Sequence, residues 1–296
     1  MEVFYNEILE KYAQINSFFQ DKNILKATPI ASIWRSKNLI LKVDCDDGQS
    51  YLFKRIAEDS EVSEIPLAVK LKQEYPQLFP AIYSTEGNAY LMEFIEGRTF
   101  FALQKDEKAD YLDKCGQLLQ QIWYSSASDE KDISDLMKRS FEQRRKKAGK
   151  FFSQDELTSY DFSCFTAVPQ RMSHNDLNVA NLFFVSNETV GIKMIDPQEM
   201  GFNDIARDIG RYCASAFFNN YDRFGNDAKH SVEIADAFIS HFREQDVERA
   251  KYYIGESFLS FLNYDTVSVP KDVLKKLTLN VLTKKGSIVE LLENAL

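Results

Sequence analysis

The first sixty residues change from a helical to a strand-like distribution of apolar positions. Residues 2–19 carry apolar side chains at helical spacing, which predicts a leading amphipathic helix. Two short apolar runs follow at Leu39–Leu41 and Tyr51–Phe53, separated by an Asp-Asp-Gly sequence that ends at Gly48. An Asp-Gly turn between two apolar runs is typical of a β-hairpin, so we expect two antiparallel strands here.

The pattern after the hairpin predicts a helix and two more strands. Apolar spacing indicates a helix over 61–75, in which Pro66 is tolerated only in the first turn. Short strands are expected over 81–83 and 89–94, and Gly97 then interrupts the pattern. We place the boundary between two lobes at this glycine.

Helical spacing dominates the rest of the chain, with one interruption. We expect helices over 105–124, 129–148, 204–218, 227–243, 246–264 and 270–293. Residues 166–200 break this pattern, and strands at 182–185 and 190–195 read as a hairpin. The sum predicts an α+β fold in two lobes, a small sheet-containing lobe at 1–96 and a larger, mostly helical lobe at 97–296.

Composition excludes several classes of protein. The 296 residues are 44% hydrophobic and 27% charged, which is typical of a globular chain and excludes a wholly disordered one. No run of apolar residues exceeds four, so we expect no transmembrane helix, no membrane partner and a cytoplasmic location. The net charge of -9 disfavours nucleic acid as a partner. The four cysteines are far apart and are expected to be reduced core residues: Cys45, Cys115, Cys164 and Cys213.

The densest group of polar residues lies in the interruption of the helical lobe. Residues 172–181 read MSHNDLNVAN and directly precede an apolar strand. A hairpin after this loop would bring Asn181 close to Asp196, and two hard oxygen donors side by side suit Mg²⁺. Asp176, five residues before Asn181, could accept a hydroxyl proton beside a metal-bound phosphate. The alternative is that these residues are helix caps and turn formers.

A lysine in the first lobe strengthens the functional interpretation. Lys54 follows the apolar run of a predicted strand. A strand lysine, a loop aspartate and asparagine, and a later metal-binding aspartate form the arrangement that kinases use for phosphoryl transfer. Positioning and charge neutralisation dominate that reaction. His174, within the loop, is interpreted as a structural residue.

At this point the chain resembles the aminoglycoside phosphotransferase and choline kinase superfamily, which has a protein-kinase-like fold. The resemblance extends from about Leu39 to Tyr212 and is carried by these motifs: Ser173–Leu177, Asn181-Leu182, Ile195-Asp196-Pro197, Gly201–Asp204 and Asp208-Ile209-Gly210. It implies an enzyme that uses ATP or GTP with Mg²⁺ and transfers the γ-phosphate to a hydroxyl group of a small molecule. Asp176 would be the catalytic base, and Asn181 and Asp196 would bind the metal.

The resemblance also implies the surroundings of the phosphates. Lys54 would hold the α- and β-phosphates and pair with a helix glutamate, either Glu64 or Glu61. Asp208 would anchor the catalytic loop by hydrogen bonds.

The resemblance further suggests where the nucleotide base and the triphosphate would bind. The Glu93 carbonyl and the Ile95 N–H group would pair with the adenine edge, in a hinge between the lobes. No glycine occurs between Asp21 and Gly48, so residues 31–38 would have to cover the phosphates without a glycine-rich loop. Their backbone N–H groups and serine hydroxyls would supply the contacts, from Ser32 and Ser36.

The acceptor is expected to be cationic or polyhydroxylated, in the manner of an aminoglycoside or a choline-like alcohol. Acidic residues outnumber basic ones around the catalytic loop: Asp176, Glu199, Asp204 and Asp208 against Arg207 and Arg211. The basic run at 144–147 is interpreted as a solvated helix face. Oligomeric state stays open.

Two other functions remain as alternatives. A protein kinase would need an activation segment, for which residues 198–203 are too short. An inactive nucleotide-binding or scaffold protein would lack one of the four residues of the kinase arrangement. All four are present: Lys54, Asp176, Asn181 and Asp196.

Overall fold

A computed structural model describes most of the chain. The described residues are 8–30, 37–57, 64–125, 129–153, 155–157, 160–186, 190–223, 227–264 and 269–296. The chain divides into two compact units, residues 1–97 with 183–198 and residues 98–182 with 199–296. Each unit has its own architecture.

The first unit is built on a five-stranded antiparallel sheet. Its strands are β1 (Ile24–Pro29), β2 (Leu39–Cys45), β3 (Ser50–Arg55), β4 (Ile82–Glu86) and β5 (Ala89–Glu93). They lie in the order β1-β2-β3-β5-β4, with every neighbouring pair antiparallel. The predicted β2–β3 hairpin is confirmed, and Gly48 turns it with a φ of 79°, which a residue with a side chain rarely adopts. The sequence did not predict β1.

Among the described residues of this unit, Ala13–Ser17 form helix α1 and Glu64–Glu74 form helix α2. Residues 8–10 are also helical, but Tyr12 is extended, with φ -110° and ψ 91°, so the predicted continuous helix over 2–19 is wrong at this point. The Tyr12 ring packs 5.5 Å from that of Phe53 in the sheet, measured between ring centres. Residues 2–7 lie outside the described part. Helix α2 has Pro66 in its first turn, as predicted.

A hairpin from later in the chain completes the first unit. Its strands are β10 (Leu182–Ser186) and β11 (Val190–Met194), adjacent in one sheet as the sequence predicted. The Met194 N–H group donates to the Leu78 carbonyl at 2.7 Å. Lys193 forms an ion pair with Glu93 at 2.5 Å. These contacts fix the end of β11, two residues before Asp196.

The second unit is mostly helical. Its helices are α3 (Lys108–Ser125), α4 (Ser134–Lys147), α5 (Ala206–Arg223), α6 (Ala228–Ile239), α7 (Glu244–Phe261), α8 (Lys271–Thr283) and α9 (Ile288–Glu293). Its short strands are β6 (Arg98–Thr99), β7 (Glu130–Lys131), β8 (Val168–Pro169), β9 (Arg171–Ser173) and β12 (Gly201–Asn203). Strand β7 pairs with β8, and β9 pairs with β12. Among the described residues, no helix combines the length and apolarity needed to cross a membrane.

The C-terminal segment corrects one prediction. The single helix expected over 270–293 is two helices, because α8 ends at Thr283 and α9 begins at Ile288. Gly286 between them has a φ of 143°. Ser287 accepts from the backbone N–H of Glu290, whose side chain accepts from the Ser287 backbone, and this capping box starts α9.

Candidate active site

A buried lysine between two carboxylates is the main polar feature of the first unit. Lys54 lies in β3 and Glu64 opens α2, and both are buried. The Lys54 Nζ atom is 2.5 Å from Glu64 Oε1 and 3.0 Å from Asp196 Oδ1. Burial lowers the pKa of Lys54, but Asp196 and Glu64 outweigh it, so the pKa lies above its usual value. The structure therefore brings together three of the predicted site residues and gives Glu64 as the helix partner.

Tyr90 supports this group and was not identified from the sequence. It lies in β5 directly opposite Lys54 in β3, so both side chains are on the same face of the sheet. Its hydroxyl donates to Glu64 Oε1 at 2.7 Å. Burial, together with the neighbouring Glu64, raises the pKa of Tyr90 well above its ordinary value. The neutral phenol therefore stays a hydrogen-bond donor that fixes the glutamate.

Asp196 occupies a special backbone position just after β11. Its φ of 59° lies in the left-handed region, which is uncommon for residues other than glycine. About a third of its side chain is exposed, at 37%. One carboxylate oxygen contacts Lys54, and the other can bind a cation. The free oxygen of Asp196 is therefore consistent with the prediction that this residue is a metal ligand.

The predicted hinge follows β5 in the first unit. Glu93 ends the strand, and its carboxylate accepts from Lys193 at 2.5 Å and from the Ala81 N–H group at 3.0 Å. Ile95 is buried, and its carbonyl accepts from the Gly97 N–H group at 3.0 Å. The adenine contacts proposed for this segment use backbone groups and stay predictions. The other three nucleotide-site residues considered lie outside the described residues: Ser32, Ser36 and Glu61.

In the second unit, a buried aspartate holds the loop before Asp176. Asp208, in the first turn of α5, accepts from the His174 N–H group at 2.6 Å and from Ser173 Oγ at 2.8 Å. Its carboxylate is completely buried, and this burial raises its pKa, while His174 and the hydrogen bonds act in the opposite direction. These bonds match the anchoring role expected for Asp208. His174 is also completely buried, as expected of a structural residue.

The next loop residue has an unusual conformation that its side chain helps to hold. Asn175 has a φ of 66°, in the left-handed region. Its Nδ2 atom donates to the Glu199 carbonyl at 2.8 Å, and its Oδ1 atom accepts from Asn203 Nδ2 at 2.8 Å. Asparagine tolerates this conformation better than most residues, and both ends of its amide are used. The turn therefore sets the direction of the following residue, Asp176.

Asp176 and Asn181 lie together at the two ends of the loop. The Asn181 Nδ2 atom donates to the Asp176 carbonyl at 3.0 Å, which directs the amide oxygen away and leaves it able to bind a hard cation. The Asp176 carboxylate is about half exposed and pairs with Arg211 Nη1 at 2.9 Å. From the sequence, Arg211 was expected only as a nearby positive charge. Its position one turn after Asp208 was the signal that it faces the same loop.

The structure thus forms two groups of site residues, one in each unit. Lys54, Glu64 and Asp196 belong to the first unit, and Asp176 and Asn181 belong to the second. The expectation that Asn181 and Asp196 share one Mg²⁺ ion joins the two groups and stays a prediction.

The basic run at 144–147 contributes to packing within the second unit. Arg144 is 2.5 Å from Glu256 and 2.8 Å from Ser260 on α7. Arg145 pairs with Glu142 one turn earlier, at 2.8 Å. Lys146 and Lys147 are exposed, as predicted for a solvated helix face, whereas Arg144 is partly buried against α7 and departs from that prediction.

Comparison with known proteins gives a family and several structural neighbours. Residues 55–243 match the profile of the phosphotransferase enzyme family, a match that covers more than half of the chain. It begins one residue after Lys54. No curated protein sequence matches the chain at a significant level.

Three solved structures show the same fold at low identity. A choline/ethanolamine kinase family protein from Mesorhizobium loti is 12% identical, with a TM-score of 0.55 over 98% of this chain and 92% of that one. A mutant aminoglycoside 2'-phosphotransferase-IIIa in complex with GDP is 14% identical, with a TM-score of 0.54 over 100% and 97%. Spectinomycin phosphotransferase with ADP and spectinomycin is 12% identical, with a TM-score of 0.50 over 98% of each chain.

These findings confirm the predicted fold class and the predicted superfamily. The neighbours have the kinase-like α+β fold, and the family match confirms the predicted enzyme class, a phosphotransferase of the small-molecule kinase type. Together with the residues described above, they show that this chain belongs to the phosphotransferase enzyme family.

Proposed function

We propose that the protein transfers the γ-phosphate of ATP or GTP, with Mg²⁺, to a hydroxyl group of a small cationic or polyhydroxylated molecule. The observation that carries this proposal is the buried Lys54 held between Glu64 and Asp196, at 2.5 and 3.0 Å. A lysine fixed by a helix glutamate beside a metal-binding aspartate is the kinase arrangement for binding phosphates.

Lys54 has the charge and the position for the nucleotide. Its pKa is raised, so the ammonium group is fully charged at neutral pH and can bind the α- and β-phosphates. Glu64 accepts a hydrogen bond from Lys54, and Tyr90 donates one to the same oxygen of Glu64. Asp196 and Asn181 would hold Mg²⁺, which, when bound, neutralises charge on the phosphate oxygens.

Asp176 is the residue proposed to accept the proton of the acceptor. The acceptor oxygen attacks the γ-phosphorus while the bond between this phosphorus and the β–γ bridging oxygen breaks. The products are a phosphate ester and a nucleoside diphosphate, and the hydroxyl proton passes to the Asp176 carboxylate. The half-exposed carboxylate is accessible to an acceptor, and its loop is held in place by Asp208.

Two observations support the acceptor class. The net charge of -9 favours cations over anions. The neighbours include a choline/ethanolamine kinase family protein and a spectinomycin phosphotransferase. Arg211 offsets the charge of Asp176 locally, and polyhydroxylated neutral acceptors therefore stay in the proposal beside cationic ones.

The test is an assay of ADP or GDP release against a panel of acceptors. Choline, ethanolamine, kanamycin, spectinomycin and neutral sugars form the first set, and carboxylated and phosphorylated alcohols form the second. We expect Mg²⁺-dependent release with a member of the first set. The variant Asp176→Asn should turn over about 10²–10⁴-fold more slowly while binding MgADP normally. Asp135→Asn, at an exposed carboxylate in α4, is the matched control and should keep full activity.

Three results would contradict the proposal. Turnover confined to the second set would exclude the acceptor class. Full activity of Asp176→Asn would exclude Asp176 as the base. Failure of every acceptor and of both nucleotides would favour an inactive nucleotide-binding protein.

A further inference from the structure

Helix α5 directs one acidic and one basic side chain at the same loop. Asp208 and Arg211 are three residues apart, a spacing that places them on one face of a helix. Asp208 accepts bonds from residues 173 and 174. Arg211 donates bonds to residues 175 and 176. Four successive loop residues are therefore held by two neighbouring side chains of one helix.

The guanidinium of Arg211 contacts both the backbone and the side chain of this turn. Its Nη1 atom donates to the Asn175 carbonyl at 2.8 Å and to Asp176 Oδ1 at 2.9 Å. The side chain is 26% exposed. Burial and Arg207 lower the pKa of Arg211 below its usual value, while Asp176 acts in the opposite direction.

The loop needs such support because of its conformation. Asn175 has a φ of 66°, a conformation that asparagine tolerates better than most residues but that still costs free energy unless the surroundings hold it. At Asp176, Asn181 fixes the carbonyl and Arg211 fixes one oxygen of the carboxylate. Because the carboxylate is planar, fixing one of its oxygens also restricts the position of the second oxygen.

We propose that Arg211 is a positioning residue for phosphoryl transfer, which holds the Asp176 carboxylate in the orientation that receives the acceptor proton. This inference rests on the proposed role of Asp176 as the base. Because both hydrogen bonds come from one nitrogen, a lysine ammonium can replace the guanidinium, whereas a methionine of similar length cannot.

The experiment compares Arg211→Met, Arg211→Lys and Arg211→Ala with wild type. Turnover is measured with MgATP and the acceptor found in the panel, and with MgATP hydrolysis to water if no acceptor is turned over. We expect Arg211→Met to lower kcat about 100-fold, the size of effect that misplacement of a reacting group produces, with the Kd for MgADP unchanged. Arg211→Lys should recover most of this loss. Guanidinium ions added to Arg211→Ala should restore part of kcat, which a loss of folding would not allow.

The matched control is Arg207→Met, one turn earlier on the same helix. In the part of the chain that the structure describes, no hydrogen bond joins its guanidinium to residues 173–176. Its kcat should equal that of wild type. Melting temperatures of all variants show whether a loss of activity follows a loss of folded protein.

The outcomes separate this inference from the proposed function. The inference is overturned if Arg211→Met turns over as fast as wild type or faster. It is also overturned if Arg211→Lys and Arg211→Met lose kcat equally and guanidinium does not restore the kcat of Arg211→Ala. If Asp176→Asn is slow while Arg211→Met is normal, only the positioning role fails. If Asp176→Asn is normal, the assignment of the base fails.

Discussion

A lysine buried in the helical unit makes the stability of the protein depend on pH. Lys108, in the first turn of α3, is completely buried. Its Nζ atom is 3.2 Å from Asn220 Oδ1 and 4.1 Å from the centre of the Phe100 ring. Burial, and then the positive charge of Arg223, lowers the pKa of Lys108 from 10.5 to about 8.

The size and sign of the effect follow from this pKa. The unfolded chain binds a proton at Lys108 up to about pH 10.5, whereas the folded chain releases it near pH 8. The unfolded state therefore binds more protons between these values, and the free energy of unfolding rises with pH. The full difference corresponds to about 3 kcal/mol, at about 1.4 kcal/mol per pH unit. This penalty is fully present at pH 7 and falls to about 1 kcal/mol at pH 9.5.

The assay compares Lys108→Met with wild type by urea unfolding at pH 7 and pH 9.5. At each pH, the free energy of unfolding of Lys108→Met is subtracted from that of wild type. This subtraction removes the contribution of tyrosines and cysteines, which titrate in both proteins. The lost hydrogen bond to Asn220 adds the same constant at both pH values. We expect the stability of wild type relative to Lys108→Met to increase by about 2 kcal/mol from pH 7 to pH 9.5.

The control is the same substitution at Lys229, which is 90% exposed. A difference between Lys108→Met and wild type that is the same at both pH values would refute the reasoning. It would mean that the buried ammonium keeps its proton over this range.

Three further predictions address packing and the site. Gly210→Ala should lower the free energy of unfolding by about 1–3 kcal/mol, because its Cβ atom would lie 2.6 Å from a backbone carbonyl of α7. Gly201→Ala, with open space around its Cβ atom, is the control. Equal melting temperatures of the two variants would contradict the prediction. Asp196→Ala should abolish binding of MgATP in calorimetry and Asn181→Ala should weaken it, since a carboxylate carries a formal charge and an amide only a dipole; unchanged affinity in Asp196→Ala would remove the metal from this position. Tyr90→Phe should lower the free energy of unfolding by about 1–3 kcal/mol, as expected when a buried carboxylate loses a donor, and a neutral effect in urea unfolding would argue against a fixed glutamate.

The periodicity of apolar residues predicted most helices and strands, and its failures have physical causes. Strand β1 was missed because only Ala27 in it is buried, so its sequence carries little alternation. It lies at the edge of the sheet, where backbone pairing with β2 rather than apolar burial defines it. The break between α8 and α9 was missed because the apolar spacing continues across it, and only Gly286 and the cap at Ser287 mark it.

In the site too, the sequence predicted what neighbouring residues determine and missed what distant residues determine. Asp176, Asn181 and Asp196 could be predicted as site residues because one loop and one hairpin connect them along the chain. The sequence left the partner of Lys54 open between two glutamates of one predicted helix. The structure gives Glu64, because the start of α2 places this carboxylate 2.5 Å from the ammonium.

The sequence by itself determined which chemical groups the protein has and in which order they occur. Motif spacing was enough to identify the superfamily, since phosphoryl transfer requires these residue types at the ends of particular elements. Only the tertiary structure decided which side chains hold those groups in place. Tyr90 reaches Glu64 through the register of β3 against β5, and Arg211 reaches Asp176 through the rotation of α5. Strand register and helix rotation depend on packing against elements that are distant along the chain, so the spacing of residues within one element is not enough to give these contacts.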